Sequence, residues 1–168
     1  MNSPRIGKRR GPMEKSSNTI GDARQTPDPK TRNNRGRLPS HGRVREVLIV
    51  DDEEPFLLSI EDGLCIYKKY FTLCTATNGI GAIKVLKGKR SIDLVITDLS
   101  MPGMDGFELL AYIKRNYRHI PVILMTAYGT PRVESITRSM GVFSYLEKPL
   151  DINIIADNIF GALSIQYP

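Results

Sequence analysis

Val47-Leu48-Ile49-Val50-Asp51-Asp52 is an apolar run that ends in two acids, and Leu94-Val95-Ile96-Thr97-Asp98 repeats the arrangement further along the chain. Val122-Ile123-Leu124-Met125 runs into Thr126, and Phe143 to Leu146 is followed by Lys148-Pro149. A fifth stretch, Phe71 to Thr77, ends in nothing charged. Apolar runs of this length, without alternation, suit strands buried on both faces, as a parallel sheet covered by helices requires. Ligands of such sheets collect where the carboxyl ends of the strands meet. Three carboxylates, a hydroxyl and an ammonium are therefore expected around one pocket.

Between these runs the apolar spacing becomes helical. Pro55 stands at a helix start, with Leu57, Ile60, Leu64 and Tyr67 behind it. Asn78 is expected to cap a short helix through Ala82, Val85 and Leu86 that Gly88 ends. Gly79 and Gly81 weaken that helix, since Gly costs about 1 kcal/mol relative to Ala. Asp105-Gly106-Phe107-Glu108 has capping-box spacing ahead of Leu109, Leu110 and Ile113. Thr130-Pro131 opens a fourth helix with Val133, Ile136 and Met140 on one side and Gly141 past its end. Asp151 caps a fifth, in which Ile152, Ile155, Ile159 and Leu163 recur every three or four residues. Five βα units predict an α/β fold, a doubly wound five-stranded parallel sheet with helices on both faces. In the flavodoxin-like order 2-1-3-4-5 the four strands with reactive ends lie side by side, and strand two, with its uncharged end, lies at the edge.

Charge divides the 168 residues into two parts, a tail over 1–45 and a domain over 46–168. The tail carries twelve Lys or Arg against three acids, whereas the remainder carries twelve against fifteen. With no aromatic residue, seven apolar ones, five Pro and five Gly, the tail cannot bury enough surface to offset the cost of ordering it, and it is predicted to be disordered. It has no apolar run fit for a signal peptide or a membrane span, which points to the cytoplasm. Without aromatic platforms, any contact it makes with nucleic acid is expected to be non-specific and through phosphates, and acidic membranes would attract it similarly. A start at Met13 would leave its first twelve residues untranslated. Cys65 and Cys74 lack metal-site and CxxC spacing and read as small buried or half-buried apolar residues. His41 and His119 read as solvated loop residues.

Asp51, Asp52 and Asp98 brought together repel one another unless a cation joins them. An all-oxygen site with few protein ligands suits Mg²⁺, which keeps several waters and shares phosphate oxygens. Lys148 is a compact charge that can pair with Asp98 at rest and with a phosphoryl oxygen later. Thr126 adds a hydroxyl donor. A carboxylate can itself be the nucleophile in phosphoryl transfer, a chemistry that depends on positioning and charge neutralisation.

Taken as a set, Val50-Asp51-Asp52-Glu53, Thr97-Asp98-Leu99-Ser100-Met101-Pro102-Gly103-Met104-Asp105-Gly106, Met125-Thr126-Ala127 and Lys148-Pro149 resemble the receiver domains of two-component response regulators. The resemblance runs from about Glu46 to the C-terminus. It implies that Asp98 accepts a phosphoryl group from a sensor histidine kinase or phosphotransfer protein. It implies that Asp52 and Asp98 bind Mg²⁺ directly, Asp51 through water, and the carbonyl of Ser100 as a further ligand. Thr126, Lys148, Leu99 and Ala127 would hold the phosphoryl group. Tyr145 would turn inward when Thr126 moves, and the Lys148-Pro149 bond would be cis. Phosphorylation would then switch the face of helix four, strand five and helix five for an unknown downstream protein or a homodimer. Ser100 and Tyr128 occupy the positions that flank the attacking water in receivers, so they bear on dephosphorylation. Thr137 and Arg138 stand where small or apolar residues are usual.

Twenty residues follow Lys148, room for the last helix and no effector domain, so the expected output is binding and not catalysis. The rival reading is a Mg²⁺-dependent phosphohydrolase on a similar sheet, but the position two after Asp98 is Ser100, with no acid to protonate a leaving group. A basic adaptor acting through residues 1–45 is the third.

Overall fold

The computed structural model describes residues 43–88 and 91–166. Five parallel strands, β1 (Arg45–Val50), β2 (Phe71–Ala76), β3 (Leu94–Asp98), β4 (Val122–Thr126) and β5 (Ser144–Glu147), form one sheet in the order β2-β1-β3-β4-β5. The helices are α1 (Glu54–Leu64), α2 (Gly79–Lys87), α3 (Gly106–Asn116), α4 (Pro131–Ser139) and α5 (Ile152–Leu163). This is the doubly wound sheet expected from the alternation of apolar runs and helical spacing.

The unbroken apolar strands are explained by what covers them. Along β1, Val47 and Ile49 enter a core closed by Leu57, Ile60 and Leu64 of α1 and Ile155, Ile159 and Leu163 of α5. Leu48 and Val50 point the other way, into a core closed by Ala82 and Leu86 of α2 and Leu109, Leu110 and Ile113 of α3. All four β1 residues are fully buried. Burying each such side chain contributes roughly 1.5–3 kcal/mol, so a polar residue at any of them is disfavoured whichever face it meets.

Caps fix where the helices begin, and hence where the strand ends open. The Asn78 side chain accepts from Gly81 N at 2.8 Å. Asp105 accepts from Glu108 N at 2.8 Å, and the Glu108 carboxylate accepts from Asp105 N at 3.2 Å, completing the capping box. Thr130 Oγ1 accepts from Val133 N at 3.2 Å, and Asp151 Oδ1 from Asn153 N at 2.7 Å. Such caps contribute about 1 kcal/mol each. At Gly79 the side chain of Met104 fills the space a Cβ would need.

Several expectations are corrected. The periodicity that ran to Tyr67 breaks at Leu64, and Tyr67 belongs to a 3-10 turn over Cys65–Tyr67. Cys65 is exposed, while the half-buried Cys74 donates its thiol to the carbonyl of Val47. In α4 the buried residue is Thr137, whereas Ile136 is 40% exposed. The Thr137 hydroxyl donates to the carbonyl of Glu134 at 2.8 Å, which satisfies it internally and allows it to be buried. Strand β1 opens at Arg45, within the stretch that composition assigned to the tail. Arg43 and Arg45 both pair with Asp93, at 2.6 and 3.2 Å. The disorder expected of residues 1–42, and His41 with them, lie outside the described residues. No described helix is long and apolar enough to cross a membrane.

Candidate functional site

Four strand ends converge on Lys148. Its Nζ donates to Asp51 Oδ2 at 2.7 Å and pairs with Asp98 Oδ1 at 2.8 Å. The Asp51 side chain has no exposure, that of Asp98 6% and that of Lys148 15%, so this is a nearly dry triad and not a surface pair. The Phe56 ring of α1 lies 4.4 Å from Nζ and closes the site from one side. The Lys148-Pro149 bond is cis.

Asp51, Asp98 and Thr126, at three of the strand ends, are each held by the same local device. Asp51 Oδ1 accepts from Glu53 N at 3.0 Å, Asp98 Oδ2 from Ser100 N at 2.6 Å, and Thr126 Oγ1 from Tyr128 N at 3.1 Å. Asp and Thr side chains readily accept from the N–H two residues on, turning the chain sharply out of a strand. The turn thus aims each side chain into the pocket while the backbone leaves it. Glu53 and the N–H of Ser100 were not identified from the sequence. The signal was present as Asp-x-Glu and Asp-x-Ser directly after apolar runs.

Burial pushes the Asp51 carboxyl above its usual range; the Lys148 ammonium and the Glu53 N–H oppose that, and the Asp98 charge adds to it. Burial pulls the Lys148 ammonium down, but its hydrogen bonds and charge pairing with Asp51 and Asp98 outweigh this and hold it above its usual value.

Not every residue singled out in the sequence meets the others. Asp52 is exposed, and no three His, Cys, Asp or Glu side chains among the described residues form a ready metal cage. Leu99 is corrected as a phosphoryl-binding donor. Its N–H continues the β3–β4 ladder by donating to the carbonyl of Met125 at 2.8 Å, and the N–H facing the Asp98 carboxylate belongs to Ser100. Thr126 is 1% exposed at the end of β4, and Ala127 is exposed just beyond it. Tyr145 packs partly against the α2–α3 core, and its buried hydroxyl has no hydrogen-bond partner among the described residues. It borders a cavity of about 460 Å³ shared with Glu134, Arg138 and Phe143. Burial raises its phenol, and the Glu147 and Glu134 charges raise it further.

The family model of the response regulator receiver domain matches residues 47–160. The transcriptional regulatory protein GlrR of Escherichia coli strain K12 is 36% identical over 121 residues, which are 72% of this chain and 27% of that protein. The chain thus spans about a quarter of that longer relative. Sporulation initiation phosphotransferase F of Bacillus subtilis strain 168 is 33% identical over 68% of this chain and 90% of its own length. Among solved structures, a response regulator receiver domain protein from Clostridium thermocellum superposes with a TM-score of 0.66 at 30% identity, covering 72% of this chain and 95% of that one. A buried Asp–Lys–Asp triad on a 2-1-3-4-5 sheet, the family match over most of the folded part and a relative matched nearly end to end agree: the chain belongs to the response regulator receiver domain family.

Proposed function

We propose that Asp98 is the phosphoacceptor of a histidine-to-aspartate relay. The observation that carries this reading is the Lys148 ammonium held at once by Asp51 and Asp98. A cation already seated beside the Asp98 carboxylate can move onto an arriving phosphoryl oxygen without being drawn from solvent. Asp98 would attack the phosphorus of a phosphohistidine on a sensor kinase or phosphotransfer protein. A P–O bond forms as the P–N bond breaks, and the imidazole leaves with a proton. The Thr126 hydroxyl, the Lys148 ammonium and the N–H groups of Ser100 and Ala127 are the donors for the phosphoryl oxygens.

The donors around Asp98 are all hard oxygens, which fits Mg²⁺, a cation that keeps most of its waters and needs one or two carboxylates. Asp52 and Asp98, with Asp51 beside them and the carbonyl of Ser100, would hold it. When bound it would supply neutralisation of phosphoryl charge. The exposed Asp52 can meet such an ion without giving up another partner shown here.

The reading is tested by incubating the protein with acetyl phosphate and Mg²⁺ and weighing it intact. One phosphoryl adduct, stable to acid and labile to base, is expected on the wild type, and none on Asp98→Asn. An adduct on both would overturn the assignment. For the output, Thr126 drawn toward the phosphoryl group would vacate space for Tyr145, whose hydroxyl gives up no hydrogen bond by moving. Occupancy of Asp98 then biases two arrangements of the α4–β5–α5 face. Beryllofluoride is accordingly expected to shift amide resonances of residues 126–160 far more than those of residues 56–90. Equal shifts in both regions would place the output elsewhere.

A further inference from the structure

Charge in the folded unit is sorted along the strand direction. In a right-handed βαβ sheet the helices run against the strands, so helix C-termini gather at the strands' N-terminal end, opposite the site. At that end lie Lys84 and Lys87 in the last turn of α2, and Lys114 and Arg115 in the last turn of α3. Arg118 follows α3, and Lys68 and Lys69 follow the 3-10 turn. All seven are exposed except the half-buried Lys114, and none has a salt-bridge partner among the described residues. The acids at this end are the half-buried Glu46 and Asp93, the latter taken by Arg43 and Arg45, and Glu61 and Asp62 in the last turn of α1, so the seven cations still outnumber them. At the opposite end Asp51, Asp52, Glu53, Glu54, Asp98, Asp105, Glu108, Glu147 and Asp151 outnumber Arg132 and Lys148.

Compensation of helix dipoles does not account for this. The effect fades within the last turn, yet Lys68, Lys69 and Arg118 lie beyond their helices, and α5 ends without any basic residue. The chain also enters the folded unit at this end, at Arg43. The preceding residues, 1–42, carry ten Lys or Arg, seven of them Arg, against three acids.

We propose that the end of the sheet opposite Asp98 is a docking surface for the phosphate backbone of double-stranded nucleic acid. Seven cations without a salt-bridge partner among the described residues, spread over the ends of three connected elements, suit a surface of repeated phosphates better than a single small anion. The Arg-rich composition of 1–42 suits phosphate, which guanidinium groups bind through two parallel hydrogen bonds. A duplex is favoured over a single strand because Tyr70, Tyr112 and Tyr117, the aromatics near these cations, are half-buried and offer no open stacking platform. It is favoured over a bilayer because 1–42 has no aromatic residue to insert. Binding would be indifferent to sequence, since phosphate contacts carry no base information.

The test is fluorescence anisotropy of a labelled duplex of mixed sequence titrated with the full chain over a series of salt concentrations. Wild-type affinity is expected to fall steeply and linearly in log–log form, by ~0.9 in slope per phosphate neutralised. Lys84→Gln with Lys87→Gln, both on an exposed surface, is expected to reduce the slope by about two and to weaken binding roughly tenfold at low salt. Arg132→Glu makes the same change in net charge at the acidic end and is expected to leave the slope unaltered. Circular dichroism confirms that each variant folds. Binding by the double variant equal to wild type would assign all contact to residues 1–42 and overturn the proposal. An equal loss in Arg132→Glu would reduce it to net charge. Tighter binding of phosphatidylserine vesicles, or of single strands, than of duplex at equal phosphate would overturn the choice of ligand.

Discussion

Lys148→Met is expected to destabilise the protein by about 3–5 kcal/mol at neutral pH, the usual cost of leaving a buried charge without its partner. The magnitude need not be discounted to that of a surface pair, since the Asp51 side chain is wholly buried and that of Asp98 nearly so. The loss should shrink on acidification, for a reason of sign. Burial already raises Asp51 above its ordinary value, and removing the ammonium raises it further. Between the ordinary and the raised value the folded variant holds a proton that the unfolded chain does not, so its stability increases as pH falls through that window. The wild type gains less there, because the Lys148 ammonium opposes the rise of Asp51. Lys148 is itself held above its usual value, so its contribution is complete throughout the neutral range and is lost only in strong alkali. Urea unfolding at pH 7.5 and pH 5 measures both. A deficit independent of pH would mean that Lys148 acts by packing over Phe56. The same variant should take up phosphoryl groups from acetyl phosphate some 10²–10³-fold more slowly, in line with losing one preorganised donor.

How far the sequence disclosed this arrangement varied with the kind of interaction. The strands were legible because both sheet faces are covered, which leaves no polar residue within 47–50, 94–96 or 122–125 to blur the runs. Caps were legible because Asn78, Asp105, Thr130 and Asp151 act on N–H groups two or three residues away. Helix α4 was misread because it buries little: with so weak an apolar stripe, Thr137 won the inward position by bonding Glu134 and Ile136 was left outside. The Lys148 bridge to Asp51 joins residues 97 apart in the chain, and only the strand order predicts their meeting. Backbone donors are the least legible, since every residue but proline has an N–H. Whether Leu99 or Ser100 faces Asp98 depends on where the β3–β4 ladder stops, one residue later than the apolar run implied. The boundary at residue 45 failed for a related reason: composition counts Arg43 and Arg45 as tail charge, but ladder pairing and Asp93 hold them in the fold.

Gly106→Ala should be the most damaging single methyl in the molecule, although the position is helical. Gly to Ala within a helix ordinarily gains about 1 kcal/mol. Here a Cβ would meet the carbonyl oxygen of Asp98 and lie 2.8 Å from the Cα of Leu99, both rigid backbone atoms. No side chain can rotate away, so α3 or the end of β3 must move. The two are joined: the Gly106 N–H donates to the Leu99 carbonyl at 2.9 Å, and the Asp98 carbonyl also accepts the Thr97 hydroxyl at 3.0 Å. Overpacking of this kind costs about 1–3 kcal/mol, reversing the helical gain. The effect on chemistry should be larger than the effect on stability, because the strained joint carries Asp98 itself, and displacing a reacting group by about 1 Å can cost 10²-fold. Gly161→Ala in α5 is the control, since a Cβ there meets only the Phe143 ring, at 3.6 Å from Cζ and 3.9 Å from Cε1, ordinary contacts. It should stabilise the protein and leave phosphoryl uptake unchanged. If Gly106→Ala matched it in both urea midpoint and rate of adduct formation, the joint between α3 and β3 would be compliant, and Asp98 would owe its placement to Lys148 and the Ser100 turn alone.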